Sequence, residues 1–227
     1  MCNMYEINRC LHVACFIALL GSAALVQGDQ SWPSFQGPRG SGATTERLPQ
    51  ELGGKNISWE RMLPGYGLST PVVHSNKVFI TCSSGPEQDR LRVLCIDGTK
   101  GQSLWERQFW ATGRTMCHEK TSVAAPTPCT DGVRIYALFS SNDLVCLDFD
   151  GNLIWLRGIT ADYPNVSNSL GMASSLVVTD GVVVAQVEND SESYAIGIDA
   201  VTGKNIWKIE REKSANWTSP LVLSPGL

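Results

Sequence analysis

Apolar residues in this chain gather in runs of four to six, rich in Val, Ile, Leu and aromatics, and each run is bounded by Gly, Asp, Asn, Ser or Thr. Short runs between turn formers predict β-strands. Three stretches also line up with one another. Val93-Leu94-Cys95-Ile96-Asp97 leads through Gly101 to Trp105, Leu144-Val145-Cys146-Leu147-Asp148 leads through Gly151 to Trp155, and Ala195-Ile196-Gly197-Ile198-Asp199 leads through Gly203 to Trp207. The aspartates fall 51 residues apart at both steps and the tryptophans 50 and then 52. A period of this size signals a repeat architecture.

Within the first unit the runs predict strand A over 71–74, B over 78–82, C over 92–97 and D over 103–109. The second unit repeats this from Pro126 to Arg157 and the third from Ser175 to Ile209. Four strands joined by tight turns make one blade of a β-propeller. A blade packs on both faces, which explains an inner strand apolar on both sides, such as Val182-Val183-Val184. The glycines at 101, 151 and 203 suit a turn that needs positive φ. The aspartates at 97, 148 and 199 read as turn caps. One Trp per repeat, late in the unit, is placed to lie across the gap to the next blade, where its indole N–H needs an acceptor. The expected fold class is therefore all-β, a partial propeller of four-stranded antiparallel blades. It holds about three full blades, with orphan strands at both ends: 57–61 around Trp59, and 220–224.

Composition narrows the function. The chain is 43% hydrophobic and 18% charged, with net charge −4 and no cluster of Lys and Arg. Phosphate neutralisation needs such a cluster, so no nucleic-acid partner is expected. Residues 11–26 are mostly apolar, follow Arg9, and lead to Val26-Gln27-Gly28. That pattern predicts an export signal over 1–28, cut before Asp29. The run is shorter than the ~20 residues of a membrane span, so no span is expected after cleavage. An N-terminal extended segment over 29–56 then precedes the propeller at 57–227. Of eight cysteines, Cys2, Cys10 and Cys15 lie in the signal. The other five (Cys82, Cys95, Cys117, Cys129 and Cys146) are unevenly spaced and contain no C-x-x-C, which argues against a disulfide framework or a zinc site. Cys95 and Cys146 share a repeat position and read as small fillers. Cys117-His118-Glu119 places three metal-capable side chains side by side, but neighbours on an extended chain point in opposite directions, so no metal is expected there.

Asp97…Gly101…Trp105 and Asp199…Gly203…Trp207 resemble the tryptophan-docking motif of pyrroloquinoline-quinone (PQQ)-type propellers, with Asp148…Gly151…Trp155 one residue shorter. Trp32-Pro33-Ser34-Phe35-Gln36-Gly37-Pro38, Ser69-Thr70-Pro71 and Trp217-Thr218-Ser219-Pro220 resemble segments of an exported bacterial family with this propeller. The resemblance implies the fold and leaves activity open. Quinoprotein dehydrogenases of this type carry PQQ with calcium and commonly a vicinal Cys-Cys pair, and no such pair occurs here. PQQ thus enters only through the family resemblance.

The reading drawn is a non-catalytic exported binding or scaffold module, a truncated member of the family, without catalytic, cofactor-binding or metal-binding residues. It would resemble the propeller lipoprotein of the outer-membrane barrel-assembly machine, without a lipid anchor. Its partner is an unidentified protein or polymer, and self-association through open blade edges is expected. The alternatives are a remnant of a PQQ-dependent oxidoreductase and a sensor propeller related to kinase-linked proteins. N-terminal sequencing of the exported protein should begin at or near Asp29; an intact Met1 in a membrane fraction would contradict the signal assignment.

Overall fold

The computed structural model describes residues 31–45, 47–51, 53–167 and 170–223. The expected signal over 1–28, with Cys2, Cys10 and Cys15, lies outside them. The apolar runs form three antiparallel sheets. Blade 1 contains β1 (Ser31–Trp32), β2 (Val72–His74), β3 (Lys77–Ser84), β4 (Arg90–Asp97) and β5 (Ser103–Trp110), hydrogen-bonded in that order. Blade 2 contains β6 (Cys129–Thr130), β7 (Arg134–Leu138), β8 (Asp143–Asp148) and β9 (Leu153–Gly158). Blade 3 contains β10 (Val177–Thr179), β11 (Val182–Val187), β12 (Tyr194–Asp199) and β13 (Asn205–Glu210). A short 3₁₀ turn follows β9 at Ile159–Ala161. Among the described residues no helix is long and apolar enough to cross a membrane.

The sheets stack face to face, and the period of two along each strand decides which neighbour a side chain meets. Ile135 and Ala137 of β7 pack toward blade 1 with Val145 and Leu147, against Val72, Phe79, Leu91, Val93 and Cys95. Their neighbours Tyr136 and Leu138, with Leu144 and Cys146, pack toward blade 3 against Val183, Ala185, Ile196 and Ile198. The middle blade is thus apolar on both sides because it has a sheet on both sides.

The innermost strands β2, β6 and β10 are those that approach one another between blades. Just before each of them, a backbone amide donates to a hydroxyl at the matching place one blade on. Thr70 N–H donates to Thr127 Oγ1 (2.9 Å), Thr127 N–H to Ser175 Oγ (3.1 Å), and Ser175 N–H to Ser219 Oγ (2.9 Å). These links form a belt around the axial edge.

The structure revises the chain ends. Part of the extended segment expected over 29–56 joins the propeller: Ser31 and Trp32 pair with His74 and Val73, and Pro33 C=O accepts the amide of Thr130 in blade 2 (2.9 Å). The two lone strands have no ladder. Residues 57–61 run extended without strand pairing, as do 220–223, with Ser224 outside the described residues. A strand is held by hydrogen bonds to a neighbour, and among the described residues neither segment has such a ladder; the first is held through the side chain of Trp59, and the second follows directly on Ser219, whose hydroxyl accepts the Ser175 amide.

The belt carries a measurable load. Thr127 is buried, 2% exposed, and Thr127→Val keeps its shape while removing the acceptor of the Thr70 amide. The change should lower stability by ~1–3 kcal/mol in a denaturant titration; an unchanged midpoint would show that the belt contributes nothing.

Candidate functional site at the blade junctions

The three repeat tryptophans stand on outer strands β5, β9 and β13, each next to a bulge. Cys95 opposes Trp105 and Ile96 opposes Ser103, which leaves Leu104 as the extra residue. Ile154 and Ile206 are the extra residues at the same place in blades 2 and 3. A bulge turns the next side chain relative to the regular pleat. The residues opposite the indoles are small, Cys95, Cys146 and Gly197, which leaves room for a ring over the strand.

Each docked indole reaches the C–D turn of the following blade. Trp59 Nε1–H donates to Gly98 C=O (2.7 Å), Trp105 to Phe149 C=O (2.9 Å) and Trp155 to Ala200 C=O (3.2 Å). In every case the acceptor is the residue after the repeat aspartate. The ring then lies against the turn glycine: a Cβ on Gly101 would sit 2.6 Å from Trp59, and one on Gly151 or Gly203 would sit 2.7 Å from Trp105 or Trp155. Gly151 also has φ +81°, a conformation L side chains rarely adopt. Glycine is therefore required twice, for the turn and for the ring above it.

The aspartates hold that turn in shape. Asp97 Oδ1 accepts the amides of Thr99 (3.0 Å) and Lys100 (2.7 Å), and Asp148 Oδ1 accepts those of Asp150 (2.9 Å) and Asn152 (2.8 Å). Asp199 Oδ1 accepts the amides of Val201 (3.1 Å) and Thr202 (2.7 Å). Donors aimed at a carboxylate favour its charged form. All three carboxyls are held below the usual range, chiefly by the Lys100 amide for Asp97, the Asn152 side chain for Asp148 and the Thr202 hydroxyl for Asp199.

One column of the repeat escaped the sequence reading. Two residues after each docked Trp stands an arginine, and it bonds the carbonyl of the glycine under that indole. Arg61 Nη1 reaches Gly101 O (3.1 Å), Arg107 Nε reaches Gly151 O (2.6 Å) and Arg157 Nη1 reaches Gly203 O (2.9 Å). Constant spacing from the Trp was the available signal. The fourth Trp breaks it, since Ile209 follows Trp207 at that distance. Trp207 lies over Gly197 of its own sheet. Asp143 also escaped notice: fully buried, it accepts Thr112 N–H (3.0 Å), Thr112 O–H (2.6 Å) and Ser141 O–H (2.6 Å), fastening the connection from blade 1 to blade 2.

The five cysteines among the described residues are free. Burial pushes the Cys82 and Cys95 thiols up to about 11 and Cys146 to about 12, and raises Cys129 as well. They are protonated at neutral pH, which makes them poor nucleophiles and poor metal ligands. In the 112–124 connection, Cys117 Sγ accepts from Gln88 (3.7 Å) and His118 Nδ1 accepts the Lys120 amide (3.1 Å), so the two side chains serve different neighbours. Among the described residues no three His, Cys, Asp or Glu side chains come together. The quinone and its calcium implied by the family resemblance do not fit these residues. The repeat carboxylates are engaged with the amides of their own turns, and the cavity bordered by Phe35, Thr127, Ser175 and Trp217 has no charged side chain in its lining.

The family described as outer membrane protein assembly factor BamB matches residues 53–224. A curated relative of that name from Moranella endobia is 23% identical over 74% of this chain and 50% of its own length. The fold also resembles the quinohemoprotein alcohol dehydrogenase of Comamonas testosteroni, with TM-score 0.59, 20% identity, and coverage of 80% of this chain and 27% of that one. A second quinohemoprotein alcohol dehydrogenase, from Pseudomonas putida HK5, aligns with TM-score 0.51 and 20% identity over 67% of this chain and 22% of that one. The chain thus spans about half the length of the curated relative and about a quarter of the dehydrogenase chains.

Two measurements test the junction. Gly151→Ala should destabilise the protein by ~1–3 kcal/mol, because the methyl collides with Trp105; an unchanged melting midpoint would contradict the docking geometry. The lowered carboxyl pKa values make stability fall with acid. The capped turns contribute fully above the ordinary aspartate range and lose that contribution as pH falls through the lower folded values, below about pH 4. A variant with Asp97, Asp148 and Asp199 all changed to Asn should therefore lose less stability between pH 5 and pH 2.5 than wild type in parallel urea titrations; equal losses would assign acid sensitivity elsewhere.

Proposed function

We propose that this chain, which belongs to the family described as outer membrane protein assembly factor BamB, is a non-catalytic binding and scaffold propeller that works outside the cytoplasm. The observation that carries the reading is the use made of the repeat residues. The indoles of Trp59, Trp105 and Trp155, the turn carbonyls and the three arginines join successive units, and the three aspartates shape the turns that receive the indoles. Residues kept for joining blades build a rigid platform, and its connections and rims are left for partners.

The domain division proposed is a signal over 1–28 removed before Asp29, an extended segment over 29–56 that lends Ser31–Trp32 to the sheet of blade 1, and a propeller over 57–227. The site is periplasmic or associated with the outer membrane, and no cofactor takes part. The partner class follows from the relative's name, a protein engaged in assembling outer-membrane proteins. Self-association belongs to the same proposal. Ile206 and Ile209 on the outer strand of blade 3 are 54% and 58% exposed, and apolar surface of this kind favours association.

Deleting the gene in its native host should lower the amounts of outer-membrane β-barrel proteins, with restoration by the full chain. The purified full chain should show no dye reduction with primary alcohols after incubation with PQQ and calcium. Unchanged barrel levels would overturn the assembly role, and PQQ-dependent dye reduction would overturn the non-catalytic one. Light scattering should give a mass above that of a monomer.

A further inference from the structure

At the axial edge, the segments that enter the innermost strands border an open cavity of about 490 Å³. Two half-exposed aromatic side chains stand in its wall, Phe35 (44%) and Trp217 (48%), together with Leu68 and the belt hydroxyls Thr127, Ser175 and Ser219. Trp217 is positioned by its indole N–H bond to Gly171 C=O (3.4 Å). No side chain in the wall carries a charge.

The belt leaves chemistry unspent here. Thr127 and Ser175 are 2% and 3% exposed, and each hydroxyl oxygen accepts one backbone amide. A hydroxyl that accepts still has a proton to donate. Among the described residues no protein acceptor takes those protons, and an unmatched buried O–H costs on the order of 1–3 kcal/mol. A ligand that brings acceptor oxygens to this wall recovers that cost. An anion would find no countercharge, and a purely apolar ligand would leave the hydroxyls unmatched. Aromatic faces beside neutral hydroxyl donors match a pyranose, whose ring has an apolar face and an edge of oxygens.

We propose that this axial cavity, walled by Phe35, Trp217 and the Thr127–Ser175–Ser219 hydroxyls, binds a neutral saccharide unit. The volume falls within the range that encloses small ligands, about 300–1,000 Å³. This site is independent of the assembly role, because a sugar titration of the purified protein and barrel levels in cells fail separately.

The probes are N,N′,N″-triacetylchitotriose and maltotriose, titrated calorimetrically into the full chain. At least one should bind saturably with a Kd of about 1 mM or tighter. Phe35→Ala and Trp217→Ala should each weaken binding about tenfold or more, while Trp110→Ala, a 60% exposed aromatic on β5, should leave it unchanged. Saturation-transfer NMR on the wild-type protein should give its strongest signals from protons on the sugar's apolar face, a readout that needs no variant. Silence of both trisaccharides, binding unaffected by both substitutions in proteins that melt like wild type, or binding of the neutral peptide acetyl-Ala-Leu-Ala-amide in place of the sugars would overturn the proposal.

Discussion

An indole placed between two sheets contributes a large apolar area to the junction, but its N–H must find an acceptor once water is excluded. Here the acceptor is a turn carbonyl of the next blade, one residue after an aspartate that shapes the turn. The rest of the repeat follows from that bond. The turn needs a glycine because the ring lies on it, the strand opposite needs a small residue under the ring, and the bulge turns the ring toward its neighbour. The arginine two residues on then ties the glycine carbonyl back to the outer strand. Repeat arrays depend on such nearest-neighbour contacts.

A second set of links works at the other edge of each blade. The indoles act where outer strands meet turns, and the amide-to-hydroxyl belt acts where inner strands meet one another. Between them lie the two apolar layers centred on Tyr136 and Phe79. Polar bonds at both rims fix the angle between sheets that the apolar layer alone would leave adjustable, since burial has no direction. The ionisable groups at the junctions, the turn aspartates and the arginine column, are spent on turn amides and glycine carbonyls, which is the physical content of the scaffold reading.

The docking residues Asp97, Gly101 and Trp105 were legible in the sequence because the same residue types recur at the same spacing. The strands were legible as well, since Val182-Val183-Val184 reads as apolar on both sides and falls at the start of β11. The arginine column is equally regular, but a charged residue on an outer strand reads as solvated. The belt was harder to see. Thr127, Ser175 and Ser219 differ in type, and what repeats is a hydroxyl facing a backbone amide, which no residue letter records. The two-residue strand Ser31–Trp32 carries too little pattern to be read as a strand at all. The segment 57–61 read as a D strand through Trp59, but a ladder is a property of two segments, and its partner is not written in its own sequence.

The central claim is that each indole is held by the blade that follows. It predicts a difference between chemically identical groups in one protein. Trp105 and Trp155 donate to Phe149 and Ala200 across a junction, whereas Trp207 lies on its own sheet and makes no such bond among the described residues. Hydrogen exchange of the indole N–H protons, followed by NMR with each Trp assigned by substitution, reads this directly. The account predicts that the Trp105 and Trp155 indole protons exchange orders of magnitude more slowly than that of Trp207. Equal rates for all three would contradict it.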